Sequence, residues 1–156
     1  MADPIATLGV NSYLSLDAAN DIAATMLFAT AWNAATDLTR TKALITATSL
    51  LDRMRWQGKP VAPSQSLAWP RIPDRCPPGY PLTTDIPTAI KTATVEFAAH
   101  LLQTGTPTAK PIMQQMLGDS MVMYFPTIAD ELPKHVRRLI EPHLRASSAN
   151  VAEVTF

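Results

Sequence analysis

Three kinds of residue in this chain are chemically capable: a serine beside an acid, histidines and a thiol, and aromatic rings interleaved with cations. Gly118-Asp119-Ser120 resembles a serine nucleophile motif, whose hydroxyl needs a histidine base and an oxyanion donor. No Asp-x-x-His element follows it, and a Gly-Asp pair between two apolar runs suits a two-residue hairpin turn, so the tripeptide reads as a turn. His100, His135 and His143 have no metal-ligand spacing with one another or with Cys76. The acids are dispersed, no pair flanking a cleft motif, and the five glycines form neither a GxGxxG nor a Walker pattern. The expectation is a protein that is not an enzyme, with no catalytic residues, no metal and no cofactor.

The remaining constellation is Arg53, Arg55, Lys59, Arg71 and Arg75 interleaved with Trp56 and Trp69. Rings beside cations can hold single-stranded nucleic acid by stacking and phosphate contact. The same residues can also bury their indoles and spend their cations on carboxylates or helix ends. Burying one large side chain yields about 1.5 to 3 kcal/mol, enough to hold a Pro-rich loop in place. The favoured reading is a structural clamp built from Asp52, Trp56, Gly58, Gln65, Trp69, Pro70 and Arg71. In it Arg71 reaches an acid such as Asp52 or carbonyls at a helix end, over the two indoles.

The elements that must position these residues follow from periodicity and caps. Ser15 caps a first helix over about Leu16–Phe28, with Asp17 in its first turn and a stripe of Leu16, Ala19, Ala23 and Met26 widened by Ile22 and Leu27. Trp32 lies in a small-residue segment that holds a short turn. Thr36 or Asp37 opens a second helix running to about Met54, with Leu44, Ala47, Leu51 and Met54 inward and Arg53 and Arg55 in its last turn; Gly58 follows as a stop. Eight prolines between Pro60 and Pro87 exclude a long helix or an inner strand there. Asp85-Ile86-Pro87 opens the clearest helix, with Ile86, Ile90, Ala93, Phe97 and Leu101 on one face, closed by Gly105. It pairs with the Leu44–Met54 face. A short β-hairpin spans Ile112–Leu117 and Ser120–Phe125. A last short helix begins at Asp130–Pro133, with Val136, Leu139 and Ile140 inward and Arg137 and Arg138 outward.

The expected fold is mainly α. It is a small bundle of about four helices with a long Pro-rich loop, a short hairpin and an extended C-terminal tail, as one domain over residues 1–145 followed by the tail 146–156. At 156 residues and 47% hydrophobic, the chain can bury a self-sufficient core. Only 17% of residues are charged and the formal net charge is zero, so no global field draws it to phosphates or an anionic membrane. The start of the chain lacks the basic and apolar regions of a leader, and no apolar run is long enough to span a bilayer. A soluble, intracellular product with no membrane partner is expected. Cys76 reads as a free thiol.

An ordered set of residues carries a resemblance. Ala43-Leu44-Ile45-x-Ala47-Thr48-x-x-Leu51-Asp52, then Trp56-x-Gly58, then Gln65-x-Leu67-Ala68-Trp69-Pro70-Arg71, then Ile86-Pro87-x-x-Ile90 resemble the head-tail connector, or adaptor, proteins of tailed bacteriophages. Relatives also carry a label as DnaT-like single-stranded-DNA-binding proteins. The likeness covers about Tyr13–Leu102 and extends more loosely to the hairpin and to Leu132-Pro133-x-x-Val136-x-x-Leu139.

The resemblance implies a virion protein of the neck, assembled in the host cytoplasm. Its copies form a homo-oligomeric ring, typically of twelve, below the portal protein. That ring extends the channel for double-stranded DNA, which passes without sequence recognition, and docks the next neck or tail protein. By this analogy the hairpin region, Met113, Gly118, Met121, Met123 and Tyr124, supplies subunit contacts, and the end of the chain, Leu144, Val151, Val154 and Phe156, anchors on the portal. The alternative is a single-stranded-DNA-binding protein of replication.

Overall fold

A computed structural model describes residues 2–73, 85–105, 114–117, 120–123 and 132–145, with the hairpin strands described at the level of the backbone. The helices are α1 (Leu16–Ala24), α2 (Thr30–Ala34), α3 (Asp37–Asp52), α4 (Thr88–Thr104) and α5 (Lys134–Ile140), the last running into a 3-10 turn over Glu141–His143. Two small antiparallel ladders accompany them, β1 (Lys59–Pro60) with β2 (Arg71–Ile72) and β3 (Gln114–Leu117) with β4 (Ser120–Met123). The mainly helical class and the hairpin are as the sequence predicts.

The bundle is organised around α4. Ile90, Ala93, Thr94, Val95, Phe97, Ala98 and Ala99 are all buried, too many for a single inward stripe. Small residues between the large ones let neighbours approach on several sides, and α4 packs against α1, α2, α3 and α5. The Leu44–Leu51 face of α3 is thus one wall of several. Pro87 sits at the N-cap in extended conformation, and Gly105 ends the helix at φ 69° with its N–H on the Leu101 carbonyl at 2.8 Å. Thr94, buried in the middle, returns its hydroxyl to the Ile90 carbonyl at 2.8 Å.

Local chemistry shortens the expected helices. Ser15 caps α1 by accepting from the Ala18 N–H, as expected. The helix then ends at Ala24 rather than near Phe28, because the Thr25 hydroxyl bonds back to the Ile22 carbonyl at 2.7 Å and the Thr25 and Met26 amides close a tight last turn. Leu27 consequently leaves the stripe assigned to it, and it and Phe28 stand 86% and 85% exposed. The segment read as a turn around Trp32 is the one-turn helix α2, and Trp32 is buried with its indole N–H on Asn20 Oδ1 at 3.1 Å. Thr36 caps α3, which stops at Asp52, so Arg53 is its C-cap and Arg55 lies beyond it.

The N-terminal arm is held by its own hydrogen bonds. The Thr7 carbonyl accepts from the amides of Val10, Asn11 and Ser12, while Asn11 Oδ1 accepts the Thr7 N–H at 2.7 Å and Asn11 Nδ2 donates to the Ile5 carbonyl at 3.0 Å. Gly9, at φ 76°, permits the reversal. Ile5, Leu8 and Val10 are exposed on this turn.

Candidate functional site

The Pro-rich segment that follows α3 folds back on the end of that helix and is fastened by side chains from both. Asp52, the last residue of α3, accepts two hydrogen bonds on Oδ1, from the Tyr13 hydroxyl and from the Ala68 N–H, both at 2.6 Å. Burial, the bond to Asp52 and the carboxylate charge together push the Tyr13 phenol well above its ordinary range, against a smaller opposing effect of Arg71. Tyr13 therefore remains a proton donor to Asp52. Tyr13 is wholly buried, which joins the loop through Asp52 to the chain ahead of α1.

Arg71 is the second fastening. Its Nε donates to the Gln57 carbonyl at 2.7 Å, Nη2 to the Gly58 carbonyl at 2.6 Å and Nη1 to the Ala68 carbonyl at 3.2 Å. The planar fork thus spans both sides of the loop, a task a single ammonium cannot match. The partners are loop carbonyls beyond the helix end, not Asp52. Gly58 is required there: its φ is +74°, and a Cβ would lie 2.1 Å from the Ile72 carbonyl oxygen. Gln65 staples the interior of the loop, accepting from the Ala62 N–H at 3.0 Å and donating to the Leu67 and Pro70 carbonyls at 2.6 and 3.1 Å. The Trp69–Pro70 peptide bond is cis.

Beneath these bonds lie the indoles. Trp56 and Trp69 are buried and meet edge to face, with centroids 5.5 Å apart at 77°, and His143 packs on Trp69 in the same manner at 5.6 Å. Neither indole N–H has an acceptor among the described residues, so burial and ring contact hold the pair. The end of the described chain closes the third side. Gln57 N–H donates to the His143 carbonyl at 2.9 Å, Arg145 N–H to the Arg55 carbonyl at 2.8 Å, and Gln57 Nε2 to the Leu144 carbonyl at 2.6 Å. Trp56 and Leu144 form an antiparallel bridge.

All seven residues assigned to the clamp thus converge on one site. Leu144, a candidate for the portal anchor, sits at the margin of the core. Val151, Val154 and Phe156 lie outside the described residues, as do Arg75, Cys76, Met113, Gly118 and Tyr124. Met121 and Met123 lie on β4, which pairs with β3 through Leu117 opposite Ser120. The sequence reasoning missed Tyr13 and Gln57. Tyr13 is 39 positions from its partner Asp52, and no local pattern announces such a pair.

With the rings buried edge to face and Arg71 engaged by three loop carbonyls, the clamp exposes no indole face on which a base could stack. Arg53, Arg55 and Lys59 remain exposed around it. No group of three or more His, Cys, Asp or Glu among the described residues is arranged to hold a metal ion, and no described helix is long and apolar enough to cross a membrane.

A second feature lies elsewhere on the bundle. An open cavity of about 360 Å³ is lined by Met26, Leu27 and Phe28 of the α1–α2 connection, by Glu96 and His100 of α4, and by His135 of α5. His135 Nε2 stands 3.9 Å from Glu96 Oε2, and its ring meets His100 edge to face at 6.2 Å. Burial, and secondarily the His135 charge, lower the His100 pKa from its ordinary value.

Fold and site together define a small helical-bundle protein whose connecting loop is locked to its central helices by a tryptophan–arginine clamp. The chain belongs to the family described as "Putative DnaT-like ssDNA binding protein", whose model matches residues 2–151. Neither the curated proteins nor the solved structures contain a significant match.

Proposed function

We propose that this protein is a non-enzymatic structural subunit of a tailed-phage virion, a head-to-tail connector. Its copies form a ring, typically of twelve, below the portal, extend the channel through which double-stranded DNA slides, and dock the next neck or tail component. One observation carries this reading beyond the resemblance. Trp56, Trp69 and Arg71, the residues best suited to stacking on bases, are spent inside the clamp, while large apolar side chains stand in water, Leu27 and Phe28 at 86% and 85% exposure. Contiguous exposed apolar surface of this kind marks an interaction site, and ring closure requires two different faces on each subunit. Imaging the protein mixed with its portal tests the reading: a ring seated on the portal is expected, and no ring there overturns it. A monomer in isolation does not, because the portal serves as the template.

A second reading, a single-stranded-DNA-binding protein of replication, is favoured by the description of the family and by the exposed Arg53, Arg55 and Lys59. It requires oligonucleotide binding that weakens steeply as salt rises, since neutralised phosphates release counterions. Absent or salt-insensitive binding removes it.

A further inference from the structure

Among the described residues, two apolar features of the surface have no partner in the bundle, and they differ in shape. The Thr7–Asn11 turn is convex: its own backbone and the Asn11 amide hold it, and Ile5, Leu8 and Val10 are 75%, 59% and 58% exposed. The cavity between Met26–Phe28, α4 and α5 is concave. The turn is ordered by bonds that leave its apolar side chains in water, and a turn fixed in advance loses little entropy on docking.

Charge distinguishes the two features as well. Residues 2–15, which form the arm and its turn, carry Asp3 and no Lys or Arg, a formal −1, whereas residues 132–145 carry Lys134, Arg137, Arg138 and Arg145 against the single acid Glu141, a formal +3. Asp3 lies two residues before Ile5. On the other side, His135 lines the cavity, Lys134 precedes it and Arg138 follows one helical turn on; Lys134 and Arg138 are exposed. Glu96, the acid within the cavity, faces His135. The arm that bears the knob thus carries an acid and no cation, while two exposed cations, Lys134 and Arg138, flank the hole, whose own acid Glu96 is turned to His135. Complementary charge of this kind steers encounter and fixes register.

We infer that the Thr7–Asn11 turn of one copy seats in the cavity between Met26–Phe28, α4 and α5 of a second copy. The contact is head to tail. It rests on the reading of the chain as a ring subunit and names the two faces that meet, because joining unlike surfaces leaves a free knob at one end of the growing assembly and a free hole at the other until the ring closes.

Crosslinking of the full chain tests it. In a Cys76→Ser background, one batch carries Leu8→Cys and another Gln103→Cys at the cavity rim, and the two are mixed, with and without the portal, in the presence of copper–phenanthroline and dissolved oxygen, which takes up the two electrons released as the disulfide forms. Leu8, Gln103 and the control position Ser49 on α3 are all exposed, so the substitutions leave the core intact. The expected result is a disulfide between Leu8→Cys and Gln103→Cys copies, absent when Ser49→Cys replaces Gln103→Cys, and weakened about tenfold or more in affinity by Phe28→Asp in the cavity-bearing copy. A portal-bound ring without this crosslink overturns the inference and leaves the connector reading standing. The crosslink without any ring on the portal supports the contact and overturns the connector reading. Equal crosslinking to Ser49→Cys, or none in any mixture, overturns the contact.

Discussion

At the scale of single residues, Arg71 does what its surroundings allow a guanidinium alone to do. Three donors reach three loop carbonyls, and removing them strands the acceptors of two part-buried bonds, at Gly58 and Ala68. Arg71→Met should lower unfolding free energy by about 2 to 3 kcal/mol in chemical denaturation, and Arg71→Lys should recover only a small part of it. Histidines supply a pH signature. Burial lowers the pKa of His143, and burial with the His135 charge lowers that of His100, so the folded protein resists protons that the unfolded chain accepts. Stability is therefore complete above the ordinary histidine value of 6.5 and falls as pH drops from there towards the depressed folded values. Thermal midpoints measured between about pH 7.5 and pH 5.5 should decline, and His143→Gln should flatten the decline. The tryptophans, the arginine and Gln65 are legible in sequence because they crowd one short stretch. Their distant partners, Tyr13 and the backbone of His143–Arg145, are not, because tertiary pairing leaves no local mark.

At the scale of elements, the caps are the most readable part of the chain. Ser15, Thr36 and Gly105 each do at a helix end what their chemistry favours. Helix ends without such a marker are read too long, as with α1, where a threonine hydroxyl turned back on its own helix sends Leu27 and Phe28 into solvent. α2 escapes periodicity altogether: five residues are too few to show a 3.6 repeat, and Trp32 is held by burial, by Asn20 and by the Arg40 guanidinium 5.8 Å over its ring. The central place of α4 is half legible, since its stripe is plain while the burial of Thr94, Val95 and Ala98 depends on neighbours that the stripe does not name. Two substitutions separate a cap from a hub. Thr36→Ala should cost about 1 kcal/mol, whereas Phe97→Ala, a void where several helices meet, should cost about 3 to 5 kcal/mol, both read from denaturant midpoints at unchanged slope.

At the scale of the whole molecule, the fold is a bundle closed by a strap from its own far end. Deleting Val151–Phe156 should leave the thermal midpoint nearly unchanged and, on the connector reading, weaken attachment to the portal. Ending the chain at Ile140 should act differently: it removes the carbonyls and amide of His143–Arg145 that pair with Arg55 and Gln57, uncovers Trp69, and should both lower the midpoint and shift tryptophan emission to the red. Neutral net charge and scattered prolines left this closure invisible in sequence, because its two halves are 87 positions apart at Gln57 and Leu144. That separation also bears on how the protein is made. Every side chain assigned to the clamp has left the ribosome once Arg71 emerges, yet the segment that covers the indoles, His143–Arg145, is synthesised well after it. Loop closure over so long a span is slow relative to local helix formation. Nascent chains should therefore display an open tryptophan pair from the emergence of Trp69 until that of His143, a natural handle for chaperones, and a stalled chain ending before His143 should stay protease-sensitive around Trp56 and Trp69.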